Sequence, residues 1–191
     1  MGEKEKSIVY APSTVEFVTV AVQYCRFLES FEDEGKPFLT DKLTKLLPLL
    51  YLKASLLPES QFLEEDEEQE VAVTEDLYNH ISSRLYAVYA NDDSYLEVFL
   101  QDMKYSDTPI VASISEDLTD IYQDLKNFIT IYERGVVEHM NDALCICHEN
   151  FCLYWGQKLV NVLRALHVLK YSPEIDTEDD GDTLQNDNGL W

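Results

Sequence analysis

Basic residues are scarce: the 191-residue chain carries 14 lysines and arginines against 37 acids, a formal net charge of −23. A surface so poor in clustered cations repels phosphate backbones and anionic lipid, so neither nucleic acid nor a membrane surface is an expected partner. Glycine and proline number only six each, which argues against a turn-dense β architecture. Four cysteines in a chain of this size do not make a disulfide framework. No stretch reaches the roughly 18 uninterrupted apolar residues of a membrane span. The opening MGEKEKSIVYAP lacks the apolar run of a signal peptide, and Lys6 stands where a myristoylation signal needs Ser or Thr. A cytoplasmic protein is the expectation.

The acids are unevenly spread. Glu64 to Glu70 (EEDEEQE) holds six and Glu174 to Asp187 holds seven, neither with a base; without those thirteen the charge is −10. What remains is globular in composition, 46% hydrophobic and 12% aromatic, and long enough to bury a real core as one domain. That domain is expected over 1–172, with an acidic linker at about 59–70 and an acidic, disordered tail over 173–191.

Hydrophobic period organises the rest. Ser13 with Glu16 reads as a capping box for a helix through Phe17, Ala21, Tyr24, Leu28 and Phe31, ended by a turn at Asp33 to Lys36. A second helix covers Thr40 to Leu57, where Pro48 should kink or split it. Thr74 caps a third, carrying Leu77, Ile81, Leu85 and Val88. A break at Asn91 to Ser94 precedes a short helix through Leu96, Phe99 and Met103, ended at Asp107-Thr108-Pro109. Ser113 and Glu116 form a second capping box before a stripe of Leu118, Ile121, Tyr122, Leu125, Phe128, Ile129 and Tyr132, closed by Gly135. The last helix runs from about Val137 to Tyr171 and stops at Pro173. Every strong period is near 3.6, so the expected fold is all-α: an antiparallel bundle of four to six helices.

Three segments, SYLEVF at 94–99, SISEDLTDIYQDL at 113–125 and FCLYWGQKLVNVLRALH at 151–167, resemble domain-of-unknown-function family 5063 in order and spacing. The resemblance is better over the second half of the ordered chain and implies an all-helical bacterial domain of about this size. It implies no activity, cofactor or catalytic residue. The acidic insert and the tail have no place in the family pattern.

Candidate chemistry is thin. In LCICHENFC, Cys145, His148, Glu149 and Cys152 fall within about a quarter turn of a helix, a possible metal trio of Cys145, His148 and Cys152 needing a further ligand such as Cys25. The spacing lacks the C-x-x-C pairs of structural zinc sites, and free cysteine usually packs as a small hydrophobe, so core is the expected role. HENFC misses the H-E-x-x-H zinc motif because Cys152 replaces the second histidine. A di-iron bundle would need Glu three residues before a histidine, where Leu77, Val136, Cys145 and Arg164 stand instead. His148 one turn before Cys152 suggests a thiol nucleophile only by proximity.

Glu64-Glu65-x-x-Glu68 imitates the magnesium motif of all-helical nucleotide pyrophosphohydrolases inside a charge run that would match almost any acidic pattern. Asp117, Asp120 and Asp124 form the more helical carboxylate stripe, whose ordinary reading is the solvated flank of an amphipathic helix. Tyr78, Tyr86, Tyr89, Tyr95 and Tyr105 cluster in sequence, and Tyr122, Tyr154 and Trp155 are the binding candidates among the aromatics, which suit interfaces and bundle rims alike. Lys36, Lys42, Lys45 and Lys53 around the leucine-rich second helix suit an acidic partner or the chain's own acidic insert. No cofactor is expected. The leading expectation is a non-enzymatic interaction or adaptor protein that binds a protein partner or a second copy of itself. Its alternative is a divalent-metal-dependent hydrolase, pyrophosphohydrolase-like, built on the aspartate stripe.

Overall fold

A computed structural model describes residues 8–31, 34–63, 71–97 and 110–172. Its helices are α1 (Pro12–Ser30), α2 (Lys36–Ser55), α3 (Glu75–Tyr89), α4 (Ile114–Tyr132), α5 (Val137–Asn150) and α6 (Gly156–Tyr171). The fold is a helical bundle. The helix ends expected at Asp33 and at 107–109, the carboxylates at 64–70, Phe99, Met103, Tyr105 and the tail past 172 lie outside the described residues.

α1 and α2 run antiparallel, as do α3 and α4, and a long-range side-chain pair fixes each register. Lys53 reaches Glu16 between α2 and α1, and Tyr78 reaches Asp120 between α3 and α4. α4 is the central helix, packed against α1, α3, α5 and α6, while α2 closes the bundle against α1 and α6. The amphipathic stripe of α4 dictates that place: Leu118, Ile121, Tyr122, Leu125, Phe128 and Ile129 are all buried in one continuous core.

Caps differ from the sequence expectation in two places. Pro12 is already in the first helical turn, so Ser13 lies inside α1 and caps nothing; instead the Thr14 hydroxyl donates to the Ile8 carbonyl at 2.8 Å. The far end of α1 is closed by α3: Arg84 donates to the carbonyls of Glu29 (3.2 Å) and Phe31 (2.6 Å), with its guanidinium 4.3 Å from the Phe31 ring centre. Thr74 caps α3 as expected, accepting from the Leu77 N–H at 3.3 Å. α2 continues through Pro48 without splitting. Gly135 follows α4 in the left-handed region at φ 74°.

The short helix expected through Leu96 is corrected. Ser94–Leu96 is a strand, β1, paired antiparallel with β2 (Val111–Ser113) in the register Ser94 with Ser113 and Leu96 with Val111. Three residues are too few to show a period of two, and the pairing depends on a partner 15 or more residues away, which sequence period does not report.

α5 and α6 form the single helix expected over Val137 to Tyr171, interrupted by a π turn at Phe151–Trp155. The buried residues Cys147, Phe151, Trp155 and Leu159 are each four apart. On an α-helix every step of four overshoots a turn by about 40°, so three steps would carry the stripe about 120° off the core. The wider π turn, closed by the Gly156 N–H on the Phe151 carbonyl, winds the face back. Gly156 is required there: a Cβ would sit 2.3 Å from the Phe151 carbonyl oxygen and 2.9 Å from its ring. Gly156→Ala is therefore expected to destabilise by about 2 kcal/mol through overpacking, although alanine favours helices by about 1 kcal/mol. A thermal melt checks this, and a raised Tm would refute it.

Candidate functional site

Beside its apolar stripe, α4 meets the long helix in a polar seam. Asp117 accepts from Lys158 Nζ at 2.6 Å, Asp120 from Lys158 at 2.9 Å and from Tyr154 at 2.7 Å, and Asp124 from Asn150 Nδ2 at 2.6 Å. The three pairs step down α4 as their partners step up the long helix, the pattern of antiparallel neighbours. α3 contributes Tyr78, which donates to Asp120 at 2.7 Å. The β1–β2 ribbon contributes Tyr95, which donates to Asp117.

The stripe is thus not the solvated flank expected of it. The Asp117 side chain is 5% exposed and that of Asp120 16%. Their oxygens are engaged by one cation and three phenols from three other elements. Burial raises the pKa of Tyr78 and Tyr95 well above the ordinary value, and the acceptors Asp120 and Asp117 raise them further. For the same two reasons Tyr154 is pushed up to about 12. Burial lowers the pKa of Lys158, but its hydrogen bonds and attraction to Asp117 and Asp120 outweigh that and the net shift is upward. Burial also raises Asp124, against the pull of Asn150.

Asp93 explains how the ribbon is held. Buried at 3% exposure, it accepts from the Ser115 N–H at 2.8 Å, the Ser115 hydroxyl at 3.0 Å and the Ser113 hydroxyl, while its carbonyl accepts from the Ile114 N–H at 2.8 Å. The N-terminus of α4 is therefore capped from outside the helix. Ser113 occupies the N-cap position expected of it, but its hydroxyl serves Asp93 and no Ser113–Glu116 box forms. Asp93 precedes β1 directly, so the same contact places Tyr95 over Asp117. Neither Asp93 nor Lys158 stands out in the sequence, since their partners are 20 to 41 residues away.

The cysteine cluster divides. Cys145 and Cys147 are buried, as is Cys25, whereas Cys152 is exposed, which corrects the expectation of core for that residue. Cys145 donates to the Ser60 carbonyl at 3.8 Å and approaches Glu149 at 3.9 Å; Cys152 and His148 Nε2 are 3.9 Å apart, and the His148 ring stacks on Phe151. Cys145, His148 and Glu149 line one side of a cavity of about 610 Å³ whose other wall is residues 59–63. Among the described residues, no group of three or more His, Cys, Asp or Glu side chains is arranged to hold a metal ion. Burial raises the thiol pKa of Cys25, Cys145 and Cys147, which keeps them protonated and inert at neutral pH. Iodoacetamide on the native protein is accordingly expected to modify Cys152 alone, and peptide mapping would show a second labelled cysteine if that is wrong.

Of the aromatic candidates, Tyr122 and Trp155 are core. The Trp155 indole donates to the Cys147 carbonyl at 3.1 Å, and the Tyr122 hydroxyl donates to Glu29 at 2.9 Å beside Lys126. Tyr154 is at the surface, its ring 5.2 Å from the Lys158 ammonium.

α2 presents a second feature, on its solvent side. Phe38, Lys42, Lys45, Leu49, Leu52 and Leu56 follow one another at steps of four, three, four, three and four, the spacing of a single helix seam. All six are exposed, the four apolar ones by 39 to 55%. The inner seam of the same helix, Leu39, Leu43, Leu47, Leu50 and Ala54, is fully buried. Of the other lysines on this helix, Lys36 pairs with Asp92 and Lys53 with Glu16.

These observations define a helical-bundle domain with a polar seam, in which one lysine serves two aspartates, and a second helix that is apolar on two sides. The chain belongs to the family described as a domain of unknown function, DUF5063, whose model matches residues 8–172. It is similar to protein BF1032 from Bacteroides fragilis, known from a crystal structure, with 45% sequence identity over 88% of this chain and 98% of that one and a TM-score of 0.77. No curated protein matches. Among the described residues, no helix is long and apolar enough to cross a membrane.

Proposed function

We propose that this protein is a non-enzymatic, cytoplasmic interaction module that docks a partner helix along the outer seam of α2. The observation that carries the reading is that seam: four large apolar side chains at coiled-coil spacing on the solvent side of a helix whose other side is already in the core. Lys42 and Lys45 interrupt it near its start, so the fitting partner is an amphipathic helix of acidic character, with carboxylates opposite those two lysines and apolar residues opposite Leu49, Leu52 and Leu56. A net charge of −23 disfavours nucleic acid and anionic lipid as the occupant.

The alternative, a metal-dependent hydrolase on Asp117, Asp120 and Asp124, has less support. A magnesium or manganese site needs carboxylate oxygens turned to a shared opening, and here Lys158, Tyr78, Tyr95, Tyr154 and Asn150 take them.

The test is capture from a native lysate by the full chain beside its Leu52→Asp, Leu56→Asp variant, read by quantitative mass spectrometry. Both positions are exposed, so the variant should fold with an unchanged circular dichroism spectrum. A protein retained by the parent and lost by the variant supports the reading; capture that ignores the two substitutions overturns this surface as the docking face.

A further inference from the structure

We propose that residues 173–191 of this chain bind back along the outer seam of α2 and compete with the partner there, an inference that rests on the reading of that seam as a docking surface. The argument is one of order. α6 delivers the chain beside the start of the seam, since Lys170 pairs with Asp41 at 3.0 Å and donates to Thr44 at 3.1 Å, and the helix ends at Tyr171. From that point the seam reads cations first, Lys42 and Lys45, then leucines, Leu49, Leu52 and Leu56. Residues 173–191 read in the same order: seven acids without a base from Glu174 to Asp187, then Leu190 and Trp191.

Charge and length both permit the match. At this end of α2 Lys36 is matched by Asp92, whereas Asp41 is shared by Lys45 and Lys170 and Lys42 lies 5.4 Å from the Phe38 ring centre. Cations are therefore in excess where the acidic run begins. The Lys45 side chain is 67% exposed, open to a second carboxylate. From Lys42 to Leu56 the seam is about 21 Å long on an α-helix. Residues 173–190 reach about 60 Å when extended, so Leu190 and Trp191 arrive at the leucines with slack to spare. A tryptophan seated on three half-exposed leucines supplies the desolvated anchor such contacts need, and the acids supply steering and direction.

Proton NMR on the full, methyl-labelled chain tests this. Expected are NOEs from the Trp191 indole to methyls of Leu49, Leu52 or Leu56, unchanged on dilution, weakened by high salt and lost in the Lys42→Glu, Lys45→Glu variant. Trp191→Ala should shift those methyls and leave the core methyls of Leu39 and Leu47 in place. Absence of the NOEs together with no methyl shift in Trp191→Ala overturns the proposal, as does dependence of the NOEs on protein concentration, which would assign the contact to a second copy. The two readings fail separately. Seam-dependent capture of a partner without the intramolecular NOEs leaves only the docking function standing. NOEs without any seam-dependent capture leave only the intramolecular contact.

Discussion

Replacing Lys158 with alanine is expected to lower the unfolding free energy by about 3 kcal/mol, the largest single effect in the polar seam. Among the described residues Lys158 is the cation paired with both carboxylates, and one of them, Asp117, has a side chain 5% exposed. The lysine itself is 23% exposed, which places the effect at the lower end of the range for breaking a buried pair. For a chain of this length the loss corresponds to about 6 to 12 °C in Tm. Denaturant melts of the variant and of Lys158→Arg check it; a loss below about 1 kcal/mol would mean that the pair behaves as a surface ion pair.

The same seam sets an alkaline limit. Lys158, Tyr78 and Tyr95 all have pKa values raised in the folded state, so each binds its proton more tightly when folded than when unfolded. Their contribution is therefore complete below the unfolded values near pH 10 and is lost as pH rises through the folded ones. Stability should fall steeply above about pH 10, and less steeply in Lys158→Ala, where one of the raised groups is gone.

Asp93→Ala is the second large effect. The change leaves the Ser115 N–H without its acceptor at the buried start of α4, leaves the Ser113 and Ser115 hydroxyls only each other, and frees the ribbon that carries Tyr95. Losing the cap costs about 1 to 2 kcal/mol, and the buried Ser115 N–H left unpaired brings the total to about 3 kcal/mol. Asp93→Asn keeps one oxygen acceptor and should recover part of that. Amide hydrogen exchange offers a local readout: protection should fall first in the opening turn of α4 and in Val111–Ser113. Unchanged protection there would show that Asp93 does not hold the junction.

How far the sequence discloses this molecule depends on distance along the chain. α1 to α4 and the Val137–Tyr171 helix follow from side chains three and four apart, and Thr74 and Gly135 mark their ends by local chemistry. What the pattern hides is what long-range contact decides. Asp117 sits where a helix dipole favours an acid, so it reads as solvated, yet Lys158 and Tyr95 bury it. Ser113 has the form of a local cap but gives its hydroxyl to Asp93. Capping by Arg84 across 53 to 55 residues leaves no trace in the sequence of α1. The outer seam of α2 is different: its spacing is written in the sequence, but only burial of the inner seam shows which leucines are left over.

The π turn has a consequence for how this chain can vary. One extra residue is accommodated between Asn150 and Gly156, and the helix on either side keeps its own alignment, α5 to α4 and α6 to α2. A chain lacking one residue in that window would close the turn as ordinary α-helix with both faces still in place, whereas the same deletion elsewhere in the long helix would rotate everything beyond it by about 100°. Deleting one residue within 151–155 is thus expected to leave the bundle folded, whereas deleting one from the middle of α6 is expected to unfold it.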